Sequence, residues 1–388
     1  MRSFLTRALV LSLALVWSAA AAQAQADKPP PAADASANAA LQYWQAFSQL
    51  PSLDQEQQKL LEDWGKVEDW YKQPLSPEAD KLVAASHTSL MYLHRGAQLP
   101  HCDWGLDYGD GISLLLPYLT KSRDLARLAA LRARIEMERG HYKQARADLV
   151  AIMALARHVG RDPIMICLLV QYGLEGMVVD LVAPYVLDIK APPAEAAAMF
   201  QALPKAATLE QAIRSEKDHM ARWIVRKLRD EETRQPGAGR VLWLNLLQGA
   251  EVPESLKQVE MDKAVELTEK ILLVYDDLAR LMTLPNDQFD AQYPSFKEKT
   301  KAENPLAGTL LPAIDQLRAK DQRNQVRLAM LLAAAAVAAE GPDKLKESKD
   351  PFGTGPFEYK AQGQGFELRS KLQFEGKPVT LTVGQRKK

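Results

Sequence analysis

The sequence predicts a mainly α protein: an irregular α-α hairpin bundle, or a short superhelix of hairpins, closed by a small C-terminal antiparallel β-meander. Three observations carry this expectation. Apolar residues recur every three or four positions from about residue 38 to about residue 340, and Gly and Pro interrupt that pattern at hairpin-like intervals. Over the last 40 or so residues the pattern changes to alternation of apolar and polar positions. The expected organisation is a signal peptide over 1-26, a flexible linker over 27-36, an α-helical domain over 37-341 and a small β-meander module over 342-388 packed on the helices.

The N-terminal segment begins with Arg2 and Arg7, continues through an apolar run from Ala8 to Trp17, and ends on Ala22-Gln23-Ala24 and Ala24-Gln25-Ala26. That is the pattern of a cleaved secretory signal, which predicts a periplasmic or extracellular protein. Its apolar core of about 10 residues is too short to span a membrane, which needs about 20, and no Cys follows the cleavage region to carry a lipid anchor. Pro29-Pro30-Pro31 among Ala, Asp and Ser reads as the linker.

From Asn38 to Leu50 the residues Leu41, Trp44, Phe47 and Leu50 form an apolar face that Pro51 stops. Helices are expected at about 54 to 72, 78 to 98 and 121 to 139, with Ser76 as N-cap and Pro77 at the first helical position of the second. Gly140 then breaks a helix carrying Leu128, Leu131 and Ile135, and a second helix places Tyr142, Ala145, Leu149, Ile152 and Leu155 on one face. The segment from Pro163 to Leu187 is so apolar that it predicts a central buried helix, with Gly173 and Gly176 placed for close packing. A charged helix is expected over 206 to 232, a turn at Gln235-Pro236-Gly237-Ala238-Gly239, and a longer helix over 252 to 283 with Ala264, Leu267, Ile271, Val274, Leu278 and Leu281 along one face. The last helix, about 313 to 340, ends at Gly341-Pro342. Phe357, Tyr359, Phe366, Leu368, Leu372, Phe374, Val379, Leu381 and Val383 then alternate, with Gly363, Gly365 and Gly376 at the breaks.

Some stretches resemble known proteins. Gly140, Tyr142, Ala145 and Leu149 are spaced like the turn and second helix of a tetratricopeptide unit, so the superhelix alternative is TPR-like. Glu136 and Arg157 depart from that pattern, and no second copy follows 34 residues on. Asn38-Ala39-Ala40, Tyr43 to Phe47, Cys102 to Gly105 and Ala156 to Arg161 together resemble uncharacterised secreted helical proteins of bacteria, which implies helices and export without an activity. Asp350-Pro351-Phe352-Gly353, Pro356-Phe357 with Tyr359, and Gly365 to Leu368 resemble the ending of type II secretion major pseudopilins over about 25 residues. The long N-terminal helix and the calcium-binding acids of those pseudopilins have no counterpart, so the resemblance implies a shared structural ending alone.

Charged residues make up 25% of the chain and the formal charge is zero, falling to about −2 without Arg2 and Arg7. Such a balance offers no footprint for nucleic acid. In an oxidising compartment Cys102 and Cys167 can pair, closing a loop of about 65 residues worth about 4 kcal/mol. The apolar run around Cys167 equally fits a buried free thiol.

The densest group of reactive side chains is the glycine-rich loop holding His101, Cys102, Asp103, Trp104, Asp107, Tyr108 and Asp110, the candidate ligand-binding loop. Its Asp spacing of four then three does not fit an EF-hand, and adjacent Cys and His rarely face each other as a nucleophile and base. In the plainer reading Trp104 and Tyr108 plug the bundle and the aspartates cap helices. His87 and His94, seven residues apart on one expected helix, are about 10.5 Å apart in rise and cannot share a metal ion. No HExxH, CxxC, P-loop, GxSxG or GxGxxG motif occurs, so no catalytic residue, cofactor or metal is expected. The expectation is an exported non-enzymatic binding or scaffold protein acting through helical-hairpin surfaces on a protein partner, with no nucleic acid and no membrane span. The alternative is an exported α-helical carbohydrate-active enzyme using carboxylates of the Asp103 to Asp110 loop.

Overall fold

Helical periodicity becomes helices over most of the chain in the computed structural model, which describes residues 37–66, 74–189, 193–248 and 252–384. The expected signal and linker lie outside the described residues. The elements below all belong to one unit, Ala39–Lys388, and of the other unit, Met1–Asn38, only the last two residues are described.

The first helix, α1 (Ala39–Ser48), buries Ala39, Ala40, Tyr43, Ala46 and Phe47. The expected face is corrected here, since Leu41 is 46% exposed. The Tyr43 ring packs on Gly96 so closely that an added Cβ would lie 2.5 Å from it. After α2 (Gln55–Lys66), the single helix expected over 78 to 98 is two, α3 (Pro77–Ala85) and α4 (His87–Ala97). The buried Ser86 hydroxyl donates to the Leu82 carbonyl at 2.8 Å, a back-bond that bends helices. Ser76 occupies the N-cap position of α3 but makes no side-chain cap.

The central hairpin is α5 (Pro117–Glu138) and α6 (Tyr142–Gly160), joined through Gly140 at φ 78°, a left-handed position that suits glycine. Next, α7 (Met165–Val182) buries Cys167, Leu168, Val170, Leu174, Val178, Val179 and Leu181. The helical run Met165–Ile189 is long and apolar enough to cross a membrane, and half of its most apolar window is buried inside the protein. Its glycines do not act as packing glycines: a Cβ at Gly173 would meet nothing within 4 Å, and one at Gly176 only the Arg327 guanidinium at 3.6 Å.

Beyond it come α8 (Pro193–Ala202), α9 (Leu209–Glu216), α10 (Arg222–Arg234), α11 (Ala238–Leu247), α12 (Met261–Met282), α13 (Asn286–Glu303) and α14 (Leu311–Glu340). Thr208 and Gln211 form a reciprocal capping box at the start of α9, and a π turn, Lys217–Ala221, joins it to α10. Three of these helices, α8, α11 and α13, have no counterpart in the sequence-based expectations.

Helix α14 lies along α7 through a polar ridge. The Tyr172 hydroxyl donates to Asp321 at 2.8 Å, the Asn324 amide to Glu175 at 2.5 Å, and Arg327 pairs with Asp180. Residue numbers rise together along both helices, so the two run parallel, which a short hairpin cannot achieve. The crossover consists of α8 to α13, and this is why the bundle is irregular.

The C-terminal sheet has the order β1-β2-β3, with β1 (Glu358–Gln362), β2 (Gly365–Phe374) and β3 (Lys377–Val383) antiparallel, as the alternation predicts. Glu375 (φ 51°) and Gly376 (φ 74°) between β2 and β3 match a type I′ hairpin turn. Phe357, Phe366, Leu368, Val379, Leu381 and Val383 pack against Val326, Met330, Leu331, Ala334 and Val337 of α14, so the sheet shares a core with the helices. Tyr359 faces outward on the edge strand, its ring tilted against Phe366 with centroids 5.2 Å apart. Buried Asp350 ties the preceding loop to β2, accepting from the Ser370 hydroxyl at 2.9 Å and the Lys371 amide at 2.7 Å.

Candidate functional site

Two regions compete for the role of functional site. The first is the loop from His101 to Gly111. Trp104 is buried at its centre, stacked on Tyr118 of α5 with centroids 4.2 Å apart, and surrounded by Tyr43, Trp44 and Phe47 of α1 at 5.8, 5.9 and 6.2 Å. The aspartates serve the backbone. Asp103 accepts from the Gly105 amide at 2.9 Å, and Asp107 accepts from the Gly109 amide at 2.8 Å as N-cap of the 3-10 turn Tyr108–Ser113. Asp110 and His101 are exposed. The Trp223 indole donates to the Gly109 carbonyl at 2.8 Å, and Gly111 lies so close to that ring that an added Cβ would be 2.1 Å away.

Beneath the loop lies a buried polar layer. The Tyr108 hydroxyl donates to Asp162 at 3.0 Å, Tyr118 and Cys167 share a hydrogen bond at 3.2 Å, and the Tyr43 hydroxyl meets Nδ1 of His158 at 2.8 Å. Burial raises the pKa of the Asp162 carboxyl, pushes the Cys167 thiol up to about 12 and holds the His158 imidazole down to about 4. Burial and the nearby Asp103 also raise the Cys102 thiol. Both cysteines are free, and neither is set up as the thiolate that nucleophilic chemistry requires. Among the described residues no three His, Cys, Asp or Glu side chains converge as a metal site. His94 lies elsewhere, its Nε2 2.7 Å from the buried carboxylate of Asp148, which also accepts from Arg132 at 2.8 Å.

The second region is an apolar cavity of about 120 Å³, partly open to solvent. Its walls are Met137 of α5; Tyr142, Ala145, Arg146, Leu149, Val150 and Met153 of α6; Val178 and Val182 of α7; Ala196, Met199 and Phe200 of α8; and Leu331, Leu332 and Ala335 of α14, completed by Val186, Ile189 and Leu203. Arg146 is the one charged residue in this lining, and it pairs with Glu195 of α8. None of these wall residues belongs to the candidate loop. The available signal was the runs of alanine beside Met, Phe and Leu on α8 and α14, which leave space that no larger side chain fills.

No protein-family model, no curated protein and no solved structure matches the chain. Fold and sites together define its class: a mainly helical protein with a small antiparallel C-terminal sheet and a partly open apolar cavity between a helical hairpin and the crossover helix that covers it.

Proposed function

We propose that the protein is an exported, non-enzymatic binding protein that takes a small apolar ligand into the cavity between α5, α6, α7, α8 and α14. The observation that carries the reading is the cavity itself: concave and apolar, with polar groups confined to two side chains. That geometry favours a small molecule over the protein partner expected from the sequence, because flat helical surfaces suit proteins and enclosed hollows suit small ligands. Three methionines in the wall, Met137, Met153 and Met199, lend it an adaptable shape. The basic, apolar and small-residue pattern of the first 26 residues supports export.

An engineered cavity of about 150 Å³ binds benzene, so the space here suits about five or six carbons. Burying them at about 0.8 kcal/mol each, about 4 to 5 kcal/mol in all, corresponds to a Kd in the range of about 0.3 to 1 mM. The test is titration of 1-octanol into protein carrying methyl-13C methionine. Saturable shifts at Met137, Met153 and Met199, three of the eleven methionines, are expected, and their loss in Ala335→Leu. If those three methyls stay unmoved while the protein is folded, the cavity is no ligand site.

A further inference from the structure

We infer that the ligand is an aliphatic monocarboxylate whose chain fills the cavity and whose carboxylate is held at the mouth by Arg146 and Tyr142. This inference rests on the cavity reading above and adds the head group. Among the residues lining the cavity, only Arg146 carries a charge and only Tyr142 carries a hydroxyl. They stand four residues apart on α6, so both project from one face of the helix with their Cβ atoms about 5 to 6 Å apart. A guanidinium and a phenol so spaced are a donor set for one carboxylate, with the guanidinium offering its two-pronged edge.

The present partners of these groups leave room for such a ligand. Tyr142 is half-buried, and its hydroxyl makes no hydrogen bond among the described residues. Arg146 is paired with Glu195, but the two side chains are 41% and 45% exposed, so water already competes for the pair. Glu195 can turn into solvent when another carboxylate arrives. A carboxylate tethered to a chain seated in the cavity arrives at high effective concentration, which a free anion lacks. Deeper in, the walls are Met, Val, Leu, Ala and Phe, with no polar side chain to receive a second head group. Sugars and dicarboxylates are therefore excluded by the cost of leaving their polar groups unpaired. The space for five or six carbons makes medium-length chains the match, with any longer chain leaving through the open side.

The experiment compares octanoate with 1-octanol, equal in chain length, by methionine-methyl titration of the full chain and of three variants. For the wild type, octanoate is expected to bind about tenfold more tightly than 1-octanol. Arg146→Gln should remove that advantage and leave 1-octanol unchanged, and Tyr142→Phe should weaken octanoate a few-fold. Glu195→Gln takes away the competing anion and should tighten octanoate about threefold, again without effect on 1-octanol. Methyl dispersion of the free variants reports that each is folded. Equal binding of the two ligands, or octanoate binding indifferent to Arg146 and Glu195, overturns the carboxylate inference and leaves the cavity reading standing. Failure of both ligands overturns the cavity reading itself.

Discussion

The loop at 101 to 111 and the cavity under α8 differ in opposite ways from what a ligand needs. The loop is crowded with side chains capable of chemistry, yet they are largely committed: Trp104 to stacking, Asp103 and Asp107 to backbone amides, and Tyr108 to Asp162. The cavity is poor in chemistry and holds the space that the loop lacks. Reactive residue types close in sequence therefore identify a site only where folding also leaves space for a ligand beside them.

Substitutions sharpen this contrast. The largest effect is expected for Trp104→Ala, which should cost about 4 kcal/mol in urea unfolding by emptying the aromatic cluster, while the 1-octanol affinity stays within about twofold. A changed affinity would mean that the loop and the cavity are coupled.

The pH dependence comes next. His158 takes up its proton near 6.5 in the unfolded chain but only near about 4 in the fold, where burial and the nearby Arg161 disfavour the cation. Its contribution is therefore complete above pH 6.5 and lost as the pH falls to about 4, amounting to about 3 kcal/mol. His158→Asn should flatten that part of the stability profile, whatever its effect at neutral pH. An unchanged acid limb would contradict the assignment.

Removing the cap with Asp107→Ala should cost about 1 kcal/mol in the same assay, and glycan binding should be no different from wild type. A glycan effect without lost stability would revive a carbohydrate site in this loop. A change of similar size and opposite sign is expected for Ala335→Leu, a gain of about 1 kcal/mol as the cavity fills, measured as a raised unfolding midpoint.

Much of the fold was legible because helical and strand periods were long and undisturbed. The α5–α6 hairpin announced itself through Gly140 and through Leu128, Leu131, Ile135, Leu149, Ile152 and Leu155, all of which are buried. The three strands followed from alternation and from the glycines at their turns. The split at Ser86 was hidden because a serine back-bond leaves the apolar spacing almost intact. Helix α13 was hidden for a different reason: it buries only Phe289 and Thr300, so its sequence carries almost no amphipathic stripe.

At the sites, Trp104 and Tyr108 could be nominated from sequence, but their partners could not. Asp162 lies 54 residues beyond Tyr108, and nothing in local spacing reports its approach. The cavity was less visible still. Tyr142 and Arg146 read as an ordinary helix face until α8 covers them, and Glu195 lies 49 residues from its partner.

By itself the sequence determined where most of the long helices lie, where the chain changes to strands and most of the apolar faces, because these follow from side chains a few residues apart. Only the tertiary structure decided that α7 and α14 run parallel, that Asp103 and Asp107 are spent on backbone amides of their own loop, and that a hollow remains beneath α8. Parallel pairing, polar satisfaction and empty space are all properties of residues that meet across long stretches of chain, where local period carries no information.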